Sequence, residues 1–174
     1  MKLAIFGSPA SGKGTLAKRL SKEFKLKHIS TGEILRRYFE QNKKHSVIDK
    51  GEFVSDELII KLVKTICPDD NYLLDGIPRT LNQIDVFKVD VAIHINCSST
   101  TASQRMLTRN ENRADDSLSI FTKRLNLYNQ NTVPVINEFF KRNIVIHVNG
   151  ENTVDVVFEE AKTKLHQYIT LFIN

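Results

Sequence analysis

Cysteine is scarce in this chain: Cys67 and Cys97 are the only two, and neither sits in a CxxC pair or a Cys/His metal spacing. That excludes a disulfide framework and a thiolate-ligated metal centre. Long apolar runs are missing as well; the longest are of strand length, well short of a membrane span. Met1 leads directly into Lys2-Leu3-Ala4-Ile5-Phe6, with neither the apolar stretch nor the small-residue cleavage site of a secretory signal, so a reduced, cytoplasmic setting is expected. No repeat, low-complexity tract or Pro/Ser-rich linker divides the chain. His45, His94, His147 and His166 share no metal-ligand spacing. No basic motif interleaved with aromatics points to nucleic acid.

What is present is the balance of one ordinary domain. Of 174 residues, 41% are hydrophobic and 26% charged, too apolar for a disordered chain. Lys and Arg number 25 against 20 Asp and Glu, and the net charge of +5 suits a phosphate-bearing partner, although a lysine-rich surface would give the same figure. Lys2–Phe6, Lys27–Ser30, Tyr72–Leu74, Val89–Ile95 and Ile144–Val148 read as strands. Helices are expected at Thr15–Phe24, through Ile34, Leu35 and Tyr38, from an N-cap at Ser55 through Ile66, and over Ser99–Arg109. One long helix follows to about Lys141, bent at Pro134, and another runs from Val154 to Ile169. Such alternation predicts an α/β fold: a doubly wound parallel sheet of about five strands, helices on both faces, with ligands at the carboxyl ends of the strands.

The first strand ends in Gly7-Ser8-Pro9-Ala10-Ser11-Gly12-Lys13-Gly14-Thr15, which opens a helix. This is a phosphate loop and places the fold with the P-loop NTPases. Backbone N–H groups curl round a phosphate, the helix N-terminus adds its positive end, and Lys13 reaches the β- and γ-oxygens. Gly14 stands where Ser or Thr is usual, and the hydroxyl arrives one residue later at Thr15. A plain glycine-rich turn would not require a lysine at the helix mouth.

Further motifs begin where strands end. In Ile29-Ser30-Thr31-Gly32-Glu33-Ile34-Leu35-Arg36, Thr31 starts a helix and Arg36 offers a planar fork to a monophosphate. Leu73-Leu74-Asp75-Gly76-Ile77-Pro78-Arg79-Thr80, with Gln83 beyond, turns the chain and delivers Arg79. Asp75 is placed to orient water on Mg²⁺ at the phosphates, and Gln83 brings a donor and an acceptor suited to an adenine edge. Arg105 and Arg109 lie four apart on one helical face, Arg113 follows beside Asp115 and Asp116, and Arg124 sits on the next helix. With the Lys-Gly-Thr ending of the loop and the segment Gly51–Glu57, these stretches resemble the nucleoside monophosphate kinases, and among them the short-lid adenylate kinases, over nearly the whole chain.

The resemblance implies a division of labour. ATP would be held by Ala10, Ser11, Gly12, Lys13, Gly14 and Thr15, by Arg105, Gly150 and Asn152 near its base, and by Arg109 of the lid. AMP would meet Thr31, Arg36, Glu52, Phe53, Val54, Gly76, Ile77, Pro78, Arg79 and Gln83, together with Arg113 and Arg124. Lys13, Arg79, Arg109, Arg113 and Arg124 would be catalytic, and Mg²⁺ would arrive with ATP through phosphates and water, without direct protein ligands. The implied organisation is a core of 1–29, 55–107 and 117–174, an NMP-binding insertion at 30–54 and a lid at 108–116, both suited to closing over substrate. Four departures stand out: Ala10 for the usual glycine, Ile77 for an aromatic, Glu33 for aspartate, and a lid of only Asn110-Glu111-Asn112 between Arg109 and Arg113. The implied activity is reversible transfer from ATP to AMP by a monomer that binds neither nucleic acid nor membrane. A kinase of UMP or CMP is the nearest alternative, against which Thr31, Thr80 and Gln83 weigh. A binding module without transfer would not need Arg36, Arg79, Arg113 and Arg124. His28, just ahead of the acceptor motif, reads as local packing or surface.

Overall fold

The computed structural model describes residues 1–42, 54–108 and 117–172. A five-stranded sheet runs through it in the order β2-β3-β1-β4-β5, with every neighbouring pair parallel. The strands are β1 (Lys2–Gly7), β2 (Lys27–Ser30), β3 (Tyr72–Asp75), β4 (Val91–Asn96) and β5 (Val145–Asn149). The helices are α1 (Lys13–Glu23), α2 (Thr31–Gln41), α3 (Asp56–Lys64), α4 (Ser99–Leu107), α5 (Leu118–Leu127), α6 (Val133–Lys141) and α7 (Val154–Phe172). Serines start four of them: the hydroxyls of Ser30, Ser55, Ser98 and Ser117 accept from the backbone N–H three residues on, at 3.1–3.4 Å.

Side-chain alternation divides the sheet into two apolar faces, which is why the strands read as nearly continuous hydrophobic runs. On one face Leu3, Ile5, Leu73, Ile93 and Val148 meet Leu16 and Leu20 of α1 and Phe158 and Leu165 of α7. On the other, Ala4, Phe6, Ile29, Leu74 and Ala92 meet Leu35 and Phe39 of α2, Ile59 and Val63 of α3, and Val135 and Phe139 of α6. Each such side chain contributes roughly 1.5–3 kcal/mol on leaving water. Helices α4 and α5 share a small separate cluster of Ala102, Met106 and Phe121.

The long helix expected to Lys141 is in three pieces. Helix α5 stops at Leu127, Tyr128–Thr132 forms a π turn, and α6 starts at Val133 with Pro134 in its first turn. Proline has no N–H to return to the preceding turn, so it sits at a helix start, where none is needed, and the wider turn ahead of it takes up the mismatch. A short 3₁₀ turn at Leu81–Gln83, which periodicity did not indicate, follows Arg79. Among the described residues no helix is long and apolar enough to cross a membrane.

Candidate active site

Where β1 and β3 end, the sheet opens into a cavity of about 540 Å³. Its first wall is the loop from β1 into α1. Ala10 and Gly12 both adopt positive φ, 59° and 95°. Gly12 does so freely, whereas Ala10 carries a Cβ that costs roughly 1–2 kcal/mol in that region. The Lys13 ammonium donates to the carbonyls of Gly7 and Ser8, both at 2.7 Å, and so ties the loop into a ring. Ala10, Gly12, Lys13, Gly14 and Thr15 line the cavity, while Ser11 is buried behind the loop. The Ser8 and Ser11 hydroxyls are buried without a partner among the described residues.

The facing wall is built by the turn after β3. Gly76 has φ 90°, and a Cβ there would run into the Thr31 hydroxyl and come within 2.9 Å of the Arg79 guanidinium, so glycine is what lets the three converge. Thr31 donates to the Asp75 carbonyl at 3.2 Å, and Arg79 Nε donates to the Gly76 carbonyl at 2.8 Å. The Ile77–Pro78 bond is cis. Gln83, fully buried, accepts from the Arg79 backbone N–H at 2.7 Å and donates through Nε2 to Asp56 at 2.6 Å. The other Asp56 oxygen accepts from the Thr80 hydroxyl at 2.7 Å, and Thr132 donates to the Arg79 carbonyl at 3.3 Å. Helix α3 and the π turn thus hold the Arg79 turn from two sides. Arg36, Val54, Gly76, Pro78, Arg79 and Arg124 line the cavity; Thr31, Ile77 and Gln83 are buried, and the Gln83 amide, expected to meet a base, is taken up by Arg79 and Asp56.

Between the walls lies Asp75, its side chain 12% exposed. Burial raises its pKa, but the His28 hydrogen bond and the charges of Lys13, His28 and Arg79 outweigh that and hold the carboxyl below its ordinary value. His28 Nε2 is 3.4 Å from Asp75 Oδ2, and both residues line the cavity. The reading of His28 as local packing or surface gains a specific contact, with Asp75. Ile29 packs into the α2 side of the core, so strand alternation sends His28 to the opposite face, the one Asp75 shares with α1. That parity was open to the sequence.

A third group lies behind the loop, at the ends of β4 and β5. Arg105 donates to the carbonyls of Ser11, at 3.5 Å, and Asn152, at 3.1 Å, and lies 3.8 Å from the Cys97 sulfur. Gly150 is pinned there by its N–H, which donates to Asn96 at 2.7 Å. Four residues expected at the ATP side, Ser11, Arg105, Gly150 and Asn152, are therefore gathered on one patch. Arg109, Arg113, Glu52 and Phe53 lie outside the described residues. Sequence reasoning missed the role of Asp56 in holding the Arg79 turn, and it missed Tyr128 and Thr132, which line the cavity from the π turn. No local pattern marks these, because their partners lie 24 or more residues away.

A phosphate loop facing convergent arginines across one cavity defines a P-loop nucleotide-binding phosphotransferase domain. Residues 5–144 match the family described as adenylate kinase. The chain is 32% identical to an adenylate kinase of Encephalitozoon cuniculi, covering 94% of this chain and 97% of that protein. It is also 32% identical to adenylate kinase isoenzyme 1 of Rattus norvegicus, over 92% of each chain. A UMP-CMP kinase 1 of Oryza sativa is 31% identical, over 91% of this chain and 71% of its own length. The chain belongs to the adenylate kinase family, and so to the nucleoside monophosphate kinases, enzymes that transfer phosphoryl groups.

Proposed function

We propose that this enzyme transfers the γ-phosphoryl group of ATP to AMP, reversibly, giving two ADP. One observation carries the reading: a single cavity has the Lys13 loop on one wall and Arg36, Arg79 and Arg124 on the other. Two phosphate-gripping sets across one space suit two nucleotides, whereas a module holding one nucleotide needs only the first. An AMP phosphate oxygen, already anionic, attacks the γ-phosphorus, and the β–γ bridging oxygen leaves with its electron pair on ADP. No proton has to be removed, so the residues' work is alignment and neutralisation of charge.

On this reading Lys13 follows the charge passing between the β- and γ-phosphates, Arg36 and Arg79 grip the AMP phosphate, and Arg124, with Arg109 and Arg113 of the lid, bridges the two. Ala10 to Thr15 hold the ATP phosphates, and Arg105, Gly150 and Asn152 border its base. Val54, with Glu52 and Phe53, borders the AMP base, while Thr31, Gly76, Ile77, Pro78 and Gln83 shape the acceptor wall. The family uses ATP with a divalent metal, and we assign Mg²⁺, held through phosphates and water: Asp75, a carboxylate near the loop whose pKa is held below its ordinary value, would orient that water. When bound, the ion neutralises phosphate charge. We divide the chain into the core 1–29, 55–107 and 117–174, the NMP-binding insertion 30–54 and the lid 108–116, and read it as a cytoplasmic monomer acting on small nucleotides.

The test is ATP with each of AMP, CMP, UMP and GMP, read as ADP formed. AMP is expected to dominate. Predominant turnover with CMP or UMP would make it a pyrimidine nucleotide kinase, the activity named for the rice relative, and no turnover with any acceptor would reduce it to a binding module.

A further inference from the structure

One pair of imidazoles has no part in the reading above, although Tyr128 beside it lines the cavity. On the α6 side of the sheet, where neighbouring positions are apolar (Ala92 and Val145), β4 and β5 place His94 and His147 directly opposite one another in the parallel register. Their Nδ1 atoms are 3.2 Å apart, and the other nitrogen of His94, Nε2, lies 3.1 Å from the Tyr128 hydroxyl. We propose that these two imidazoles form a binding site for one borderline divalent transition-metal ion, Zn²⁺, Ni²⁺ or Cu²⁺, bridging β4 and β5 with water completing its coordination.

Geometry is the first support. Two nitrogens bound to one ion at about 2.0–2.1 Å lie roughly 2.9–3.4 Å apart for ligand angles from square to tetrahedral, so the observed 3.2 Å needs no rearrangement. Orientation is the second. A metal-bound imidazole usually donates its other N–H to a fixed acceptor, and the Tyr128 oxygen stands at that position for His94. Access is the third, since His147 is solvent-exposed. Imidazole nitrogen selects these ions over Mg²⁺, so the site is chemically distinct from the metal that accompanies ATP. Among the described residues no cluster of three or more His, Cys, Asp or Glu stands ready for a metal. Two protein ligands make this an open site of moderate affinity.

The test uses tag-free, nucleotide-free protein titrated with Cu²⁺ by calorimetry and electron paramagnetic resonance, and with Zn²⁺ by thermal unfolding. One saturable Cu²⁺ per chain with hyperfine splitting from two nitrogens is expected, along with an unfolding midpoint that rises with Zn²⁺ concentration. His147→Ala, at an exposed position, should weaken Cu²⁺ binding at least tenfold and leave one nitrogen or none in the spectrum, while millimolar Mg²⁺ should not compete. Absence of saturable binding, unchanged affinity in His147→Ala, or displacement by Mg²⁺ would each overturn the proposal. None of these outcomes bears on phosphoryl transfer.

Discussion

Replacing Asp56 by alanine should loosen the acceptor wall without touching the cavity. The Asp56 carboxylate accepts from Gln83 at 2.6 Å and from Thr80 at 2.7 Å, and Gln83 in turn accepts the Arg79 backbone N–H at 2.7 Å. Gln83 is fully buried, so losing Asp56 strands an amide donor away from water, at about 1–3 kcal/mol. Thr80 is only half-buried and recovers a water, so its lost bond adds about 0.5 kcal/mol, the low end for a net hydrogen bond. Asp56 also opens α3, where a carboxylate is worth roughly 0.3–1 kcal/mol against the helix dipole. Together these give about 3 kcal/mol, a fall in Tm of roughly 6–12 °C for a chain of this size. Because the lost contacts steady Arg79, KM for AMP should rise while ATP affinity in calorimetry stays put. Asp56→Asn retains an acceptor oxygen and should lose about half as much stability. A double-mutant cycle with Gln83→Leu should show coupling of at least about 1 kcal/mol, since without Gln83 nothing is stranded. A Tm change under about 2 °C, or strictly additive mutations, would refute this account of how the turn is held.

Lys13→Met should lower kcat by about 10²–10³, the usual loss for one preorganised electrostatic group, with an unchanged circular-dichroism spectrum; near-normal turnover would remove the lysine from the chemistry. Arg79→Ala should reduce kcat/KM for AMP by roughly 10–10², the value of a charge-assisted phosphate contact, while calorimetric ATP affinity moves less than about twofold. Ala10→Gly should raise Tm by about 1–4 °C, because relief of roughly 1–2 kcal/mol at φ 59° exceeds the roughly 0.4–1 kcal/mol of added unfolded-chain entropy. His94 has a folded pKa depressed to about 4, chiefly by burial, against an unfolded value near 6.5. The unfolded chain therefore takes up the proton first, and stability, full above that unfolded value, should decline as pH falls through the interval to about 4. Urea midpoints at several pH values should show a shallower acid limb in His94→Leu.

The parts legible in the sequence are those whose cause is local. The phosphate loop could be read because a strand, two glycines and a lysine at fixed spacing need no distant partner, and the strands because both faces of a parallel sheet are buried. The π turn could not: Leu125, Tyr128 and Thr132 continue a helical spacing, and nothing in that pattern reveals how the register adjusts ahead of Pro134. Asp56 illustrates the other limit. As the first residue of α3 after a serine cap it already has a complete local explanation, and its bonds to Thr80 and Gln83 span 24 and 27 residues. His28 is half legible: β2 alternation gives its face, but the pairing of β2 with β3 that brings it to Asp75 has no local signal. Arg36, Arg79 and Arg124 were each ordinary in isolation, and the fold is what makes them converge on Lys13.

How those cations are anchored distinguishes the site from the rest of the surface. Away from the cavity, several basic side chains rest on carboxylates: Arg19 on Asp155 at 2.7 Å, Arg142 on Asp85 at 3.2 Å, Lys162 on Glu23 at 3.0 Å and Lys164 on Glu160 at 2.7 Å. At three cations of the site, backbone carbonyls help with the orienting. Lys13 leans on Gly7 and Ser8, Arg79 on Gly76, and Arg105 on Ser11 and Asn152. A carbonyl fixes the direction of a cation while leaving its full charge to act outward. A carboxylate in the same position would cancel most of it, on the order of 4 kcal/mol per cation for a charge 4 Å away at an effective dielectric near 20. With the loop and the turn after β3 both supplying carbonyl anchors, Lys13 and Arg79 meet incoming phosphates pre-aimed. The carboxylate that does face the cavity from β3, Asp75, is steadied by His28 as well as by the cations around it. The same turn that ends β3 thus serves the donor wall with Asp75 and the acceptor wall with Arg79.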